Sequence, residues 1–270
     1  MERLLASFEK IKTVHPYVHH ITNAVTMNDC ANMTLAAGGS PAMAHAKEEV
    51  AEMICQMSAL VLNTGTITQD AFEAMLIAGK AANENGIPIV LDPVAVGATA
   101  FRKRVNEALL EALDIAVIRG NASEIMTLVG VSSGRGVDVA VDLVFDEEKV
   151  MAFASEKQTV VATSGAVDFM TDGRRCAYCH NGVAMLSEIT GTGCMLASVI
   201  GVGVGAGNDA FDSALLASVM IGIAGEEAYA AVNGERKLGT FRVQLFDAMA
   251  TMSSEKINAL GRIDVDGACF

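Results

Sequence analysis

The chain has 270 residues, 51% of them hydrophobic and 19% charged, which is enough apolar material for one large α/β core and too much for a disordered chain. A formal charge of −13 argues against nucleic acid and anionic membrane as partners, because both demand basic surfaces, but it leaves local phosphate binding open. The N-terminus carries no apolar core of signal-peptide length, and the longest uncharged apolar runs, residues 195–207 and 213–225, fall short of the ~20 residues a membrane span needs. The reading is a cytoplasmic protein whose six cysteines are reduced thiols.

The first segment carries His15, His19 and His20, followed by Thr22, Asn23 and Thr26. His19 and His20 diverge if they sit on a strand, which argues against a paired metal site. Thr22, Asn23 and Thr26 line a pocket or cap a helix. Met43 follows a run of small residues, Gly39-Ser40-Pro41-Ala42. A loop Met normally packs, and its thioether would also suit a flat, sulfur-containing aromatic ring.

Four short apolar runs read as strands: 59–63, 87–92, 115–119 and 159–163. Between them, residues 68–85, 101–113 and 121–129 are rich in helix formers. Continuous apolar strands alternating with helices predict a parallel sheet covered on both faces. The strands end in polar or glycine-containing corners: Asn63-Thr64-Gly65, Asp92-Pro93, Arg119-Gly120-Asn121 and Thr163-Ser164-Gly165. Ligands of open α/β sheets bind beyond the carboxyl ends of the strands, so these corners are expected to meet in one crevice.

Each corner has two readings. Asp92 is a turn aspartate or a carboxylate of the crevice. Arg119 forms a surface ion pair or reaches phosphate oxygens with its guanidinium fork. Asn121-Ala122-Ser123-Glu124 has the spacing of a capping box, and Glu124 at that helix start could also organise magnesium and its waters; both can hold.

Cys176-Ala177-Tyr178-Cys179-His180 matches the pattern of covalent haem attachment. Nothing in the chain points to export, however, and no second ligand pair supports zinc. The two cysteines read instead as oxidation-sensitive surface thiols on a short strand.

Glu188-Ile189-Thr190-Gly191-Thr192-Gly193-Cys194-Met195 is the most informative stretch. Its glycines let backbone amides approach an anion, and the helix that follows adds positive charge at its start. Cys194 is a small buried hydrophobe, or a thiol whose pKa is lowered at the helix start and which accepts a proton from an attacking hydroxyl. That pattern suits a small-molecule kinase. Beyond it, residues 192–205, 209–232 and 240–260 read as helices, and 260–270 carries no functional signal. No linker or repeat divides the chain, so 1–270 reads as a single domain.

Taken in order, His20-Ile21-Thr22-Asn23, Gly39-Ser40-Pro41-Ala42-Met43, Leu91-Asp92-Pro93-Val94-Ala95-Val96-Gly97-Ala98, Ile118-Arg119-Gly120-Asn121-Ala122-Ser123-Glu124 and Thr190-Gly191-Thr192-Gly193-Cys194 resemble the hydroxyethylthiazole kinases, a thiamine-pathway family of the ribokinase-like superfamily. The resemblance implies a mainly parallel sheet with helices on both faces, and ATP-dependent phosphorylation of the primary alcohol of 4-methyl-5-(2-hydroxyethyl)thiazole. It implies that Met43 and Gly191 hold the thiazole, with Thr22, Asn23 and Gly65 beside them. Arg119 and Ser164, with Thr163 and Asn121, would hold ATP, and Asp92 and Glu124 would organise Mg2+. Cys194 stands where most of the superfamily has an aspartate base, with Gly191 and Gly193 forming the anion hole. A homotrimer with active sites between subunits is implied as well.

Three rivals differ in class or substrate. A kinase of the same fold acting on a pyrimidine alcohol or sugar is disfavoured by Cys194 and the Met43 loop. A nucleotide-binding regulator is disfavoured by the intact set Asp92, Arg119, Glu124 and Gly191–Cys194. A dinucleotide dehydrogenase would want its glycine turn after the first strand.

Overall fold

The computed structural model describes residues 1–132 and 145–266. The chain begins with α1 (Glu2–Val14), β1 (Tyr17–Ile21), α2 (Met27–Ala36), β2 (Ser40–Ala42), α3 (Val50–Ile54), β3 (Ala59–Asn63) and α4 (Gln69–Glu84). It continues with β4 (Ile89–Asp92), α5 (Ala100–Ala112), β5 (Val117–Asn121), α6 (Ala122–Ser132), α7 (Glu147–Lys157), β6 (Val160–Ser164), β7 (Asp168–Thr171) and β8 (Cys176–Cys179). A 3-10 turn (Ala184–Glu188) leads to α8 (Thr192–Gly205), α9 (Ala210–Ala231), α10 (Leu238–Ala250), α11 (Ser254–Leu260) and β9 (Ile263–Asp266).

The nine strands form one sheet in the order β2-β1-β3-β4-β5-β6-β7-β8-β9. β1 to β6 run parallel, and β7, β8 and β9 continue the sheet antiparallel. Side chains alternate across it. Leu60 and Leu62 of β3 pack on one face with α4 and α5, whereas Ala59 and Val61 pack on the other with α8 and α9. With both faces buried, β3 to β6 begin as unbroken apolar runs and turn polar only toward their carboxyl ends, whereas β1 buries His19 and His20 in mid-strand. Strand order reverses around β1, the place where such sheets open a crevice at the carboxyl ends of their strands.

The four strands expected from the sequence are β3 to β6, each within two residues of its expected start and end. One reading changes. Residues 240–260 are not one helix: α10 ends at Ala250, and Ser253 caps α11 by accepting a hydrogen bond from Lys256 N. The segment after α11, which carried no functional signal, supplies β9, which pairs with β8 and forms the far edge of the sheet; residues 267–270 lie outside the described residues. α9, at 22 residues, is by length and composition apolar enough to cross a membrane, but 72% of its apolar window is buried within this fold.

Candidate active site

The parallel strands deliver their polar corners to one end of the sheet in spatial order: Met43 after β2, Thr22 and Asn23 after β1, and Asn63 to Gly65 at β3. Asp92 follows at β4, then Arg119 to Asn121 at β5 and Thr163 to Gly165 at β6. The start of α8, which packs against β1, β3 and β4, sits at the middle of this row. Gly191 caps it with φ 94°, a left-handed conformation that favours glycine. A Cβ on Gly191 would meet Thr26 Cγ2 at 2.7 Å, and one on Gly193 would meet Arg119 Nη1 at 2.2 Å. The two glycines therefore admit their neighbours by having no side chain.

A connected polar cluster surrounds Cys194. Asn23 Nδ2 donates to Asn63 Oδ1 at 2.9 Å, to Thr26 Oγ1 at 2.8 Å and to Cys194 Sγ at 3.4 Å. Asn63 Nδ2 donates to Asp92 Oδ2 at 2.6 Å and to Cys194 Sγ at 3.2 Å. Arg119 Nη1 lies 3.7 Å from Asp92 Oδ1, and Arg119 Nη2 donates to Ser164 Oγ. Among the described residues, Asp92 Oδ1, Arg119 Nε and Thr163 Oγ1 are buried with no hydrogen-bond partner. Native proteins rarely leave such atoms unpaired away from a ligand site.

Burial changes the acid–base chemistry expected of this cluster. It pushes the Asp92 carboxyl up to about 6, with the Arg119 guanidinium opposing the rise. Burial, reinforced by the charge of Asp92, pushes the Cys194 thiol up to about 12. The expected lowering at the helix start is thus overturned, because desolvation of a thiolate outweighs the partial charge of one helix end. Cys194 is a protonated thiol in this cluster. Cys179 corrects in the same direction: it is buried, with its thiol pushed up to about 12 by burial, and only Cys176 of that pair is partly exposed. Cys30, Cys55, Cys179 and Cys194 are free thiols.

Glu124 fills its expected capping role. Its Oε2 accepts from Asn121 N at 2.9 Å while Asn121 Oδ1 accepts from Glu124 N at 2.9 Å, a reciprocal capping box. Its Oε1 accepts from Ala95 N at 2.8 Å, and Ala95 holds a positive φ of 54°, a costly conformation for a residue with a Cβ. Glu124 therefore shapes the loop after Asp92 as well as its own helix. As for magnesium, the donors present are two carboxylates, one with a free buried oxygen; among the described residues no group of three His, Cys, Asp or Glu could hold an ion. This donor set fits an ion that keeps its waters and arrives with nucleotide phosphates.

Arg119, Asn121, Ser164, Gly165, Thr192 and Gly193 line a cavity of about 580 Å3. Its far wall is formed by Asn181, Gly182, Val183 and Leu186, with Ile221 and Gly222 of α9. Thr163 stands behind Ser164 on β6 and does not line it; nor do Met43, Thr22, Asn23, Gly65, Asp92 and Glu124. Instead, His45 ties the Met43 loop to β1: its Nδ1 is 2.8 Å from Met43 O, and its Nε2 is 3.1 Å from Thr22 N. Gly65 N donates to Asn63 Oδ1 at 2.9 Å, and a Cβ there would meet Asn23 at 2.7 Å.

Two groups escaped the sequence reading. Arg102 of α5 donates to the carbonyls of Thr64, Gly65 and Val94, so one guanidinium binds the β3 and β4 corners together. Its partners are backbone atoms 38, 37 and 8 residues away, and no motif marks them. The far wall of the cavity was missed for a similar reason, because it is assembled from a loop and one face of α9.

The architecture is that of the ribokinase-like kinases. A ribokinase-like superfamily protein from Enterococcus faecalis V583 superimposes with a TM-score of 0.64 at 9% identity, covering 90% of this chain and 89% of that one. Pyridoxal kinase from Staphylococcus aureus does so with a TM-score of 0.61 at 16% identity, over 77% and 87% of the two chains; likeness at these identities establishes the fold alone. Within that class, the model of the hydroxyethylthiazole kinase family matches residues 8–255, and this chain belongs to that family. Hydroxyethylthiazole kinase from Exiguobacterium sibiricum is 47% identical over 92% of this chain and 96% of its own length. The counterpart from Alkaliphilus oremlandii is 45% identical over 97% of each. The solved hydroxyethylthiazole kinase from Pyrococcus horikoshii OT3 matches with a TM-score of 0.90 at 38% identity, covering 98% of this chain and all of that one.

Proposed function

We propose that the chain transfers the terminal phosphoryl group of ATP to the primary alcohol of 4-methyl-5-(2-hydroxyethyl)thiazole, in thiamine biosynthesis or salvage. The observation that carries this reading is the Asn23–Asn63–Asp92–Arg119 cluster around the start of α8, set against the 580 Å3 cavity in a chain of this family. The cavity accepts the nucleotide. Arg119 and Ser164 meet its phosphates, with Asn121 at the rim and Thr163 Oγ1 behind. The alcohol occupies the other side of α8, between Met43, Thr22, Asn23, Gly65 and Gly191.

In the transfer, the alcohol oxygen forms a bond to the γ-phosphorus while the bond to the β–γ bridging oxygen breaks and ADP leaves. The amides of Gly191 to Cys194 and the Arg119 guanidinium balance charge on the moving group. The alcohol proton leaves late, when the oxygen is already bonded to phosphorus, and passes to a non-bridging oxygen of the transferred phosphoryl group before equilibrating with solvent. Cys194, protonated at neutral pH, serves as a hydrogen-bonding member of the reacting centre beside Asp92. Asp92 and Glu124 would hold magnesium, which would supply charge neutralisation for the triphosphate. Met43 follows the edge strand β2, and this position supports a homotrimer in which a neighbouring subunit completes each thiazole site.

The test is a coupled assay of ADP release with magnesium-ATP over three alcohols: the thiazole, a hydroxymethylpyrimidine and ribose. Turnover of the thiazole is expected to exceed the others at least ~100-fold in kcat/KM, a difference of ~2.7 kcal/mol in transition-state binding. Equal or better use of the pyrimidine would overturn the assignment.

A further inference from the structure

The far wall of the cavity is held from outside by the tail of the chain. The family model ends at residue 255, and Leu260 and Arg262, which share the holding with Glu226, lie beyond it. Asn181 lines the cavity by its backbone position, yet both ends of its side chain are taken by the tail. Its Nδ2 donates to Leu260 O at 2.9 Å, and its Oδ1 accepts from Arg262 N at 2.7 Å. Arg262 Nη2 donates to His180 O at 2.9 Å and to Glu226 Oε1 at 2.7 Å, and Nη1 donates to Glu226 Oε2 at 3.2 Å. Glu226 Oε1 in turn accepts from Gly182 N at 2.6 Å. Segment 180–182 is thereby bonded at three consecutive residues, by the tail at its first two and by Glu226 at its third.

α9 is shaped to receive the same segment. A Cβ on Gly222 would meet Asn181 Cβ at 2.4 Å, and one on Gly225 would meet Leu186 Cδ1 at 2.8 Å. The two glycines stand three residues apart and so share a helix face, against which the wall lies flush. A wall pressed into a groove on one side and latched on the other has a single position. A nucleotide that meets such a wall does not have to order it first, and saving that cost appears as affinity.

We infer that Arg262, with Glu226, is a positioning residue for the nucleotide: it latches segment 180–182 and thereby sets affinity for ATP without touching the reacting atoms. The inference rests on the cavity being the nucleotide site.

The test compares Arg262→Ala, Arg262→Lys, Glu226→Gln and Asp264→Asn with the wild-type chain. The readouts are steady-state kinetics in each substrate, direct binding of magnesium-ADP and thermal melting. Arg262→Ala is expected to raise KM for ATP and Kd for ADP about 10-fold, with kcat and KM for the alcohol moving less than about twofold. Arg262→Lys is expected to recover part of the loss. Glu226→Gln, which keeps an acceptor for Gly182 N, is expected to shift the same constants in the same direction and carries the test if Arg262→Ala does not fold. Asp264 touches His180 at the exposed edge, so Asp264→Asn is expected to match wild type. Unchanged nucleotide constants in a folded Arg262→Ala, or equal losses in both KM values and in Asp264→Asn, would overturn the latch. A wild-type chain with no ATP-dependent turnover would overturn the functional reading instead.

Discussion

His20 on β1 and Asp92 on β4, with β3 between them, are both fully buried, and they titrate in opposite senses. Burial holds the His20 imidazole down to about 4, so the folded chain prefers it neutral. The stability it contributes is complete above its ordinary value of 6.5 and is lost as pH falls toward 4. Burial pushes Asp92 up to about 6 from 3.8, so the folded chain binds that proton more tightly than the unfolded one. Its contribution is complete below 3.8 and is lost as pH rises through 6. Each is worth up to ~3 kcal/mol, and between pH 6 and 4 they offset one another. Asp92→Asn removes one side of that balance. In nucleotide-free protein its Tm is expected to drop between pH 6 and 4 by roughly 6–12 °C more than the wild-type Tm does; parallel Tm–pH curves would refute the opposition. Residue identity and order were enough to bring Asp92, Arg119, Glu124 and Cys194 forward as candidates. The sign of the Cys194 shift was not legible, because it depends on how much protein covers the sulfur, and that coverage comes from α8, Asn23 and Asn63 arriving together.

At the scale of elements, α8 is the piece that organises the site, through glycines at its first turn. Gly193 usually would gain ~1 kcal/mol of helix propensity on replacement by Ala. Here the new methyl would fall 2.2 Å from Arg119 Nη1, and Arg119 is pinned between Ser164 and Asp92. Gly193→Ala is therefore expected to leave Tm within a few degrees while lowering kcat/KM for ATP at least ~10-fold; wild-type kinetics would show that Arg119 moves aside at no cost. The central strands were readable because burial on both faces leaves a continuous apolar run ending in a polar corner. The break between α10 and α11 was not, since Thr251, Met252 and Ser253 interrupt an otherwise helical pattern without Gly or Pro. Their role as terminator and cap shows only in the bonds they make, such as Thr251 Oγ1 donating to Asp247 O at 3.0 Å.

For the molecule as a whole, the open sheet edge at β2, which leads into Met43, and the exposed Val25, Leu35 and Val243 are surface that a partner subunit would cover. Isolated apolar edges of this kind favour a partner. A trimer near three times 28.2 kDa is expected in sedimentation, with activity lost on dilution. Mixing Met43→Asp chains with Cys194→Ala chains is expected to rebuild active sites, since each parent supplies one intact half. A fully active monomer, or mixtures no better than their parents, would sink the shared site. At the opposite edge, the pairing of β8 with β9 has a consequence for how the chain is made. Asn181 leaves the ribosome 81 residues before the Arg262 amide that holds it, roughly 4–16 s earlier at ordinary rates of synthesis. The parallel half of the sheet can fold during that interval while segment 180–182 stays unfastened, so a nascent chain completes this wall of the cavity only after residue 262 has emerged.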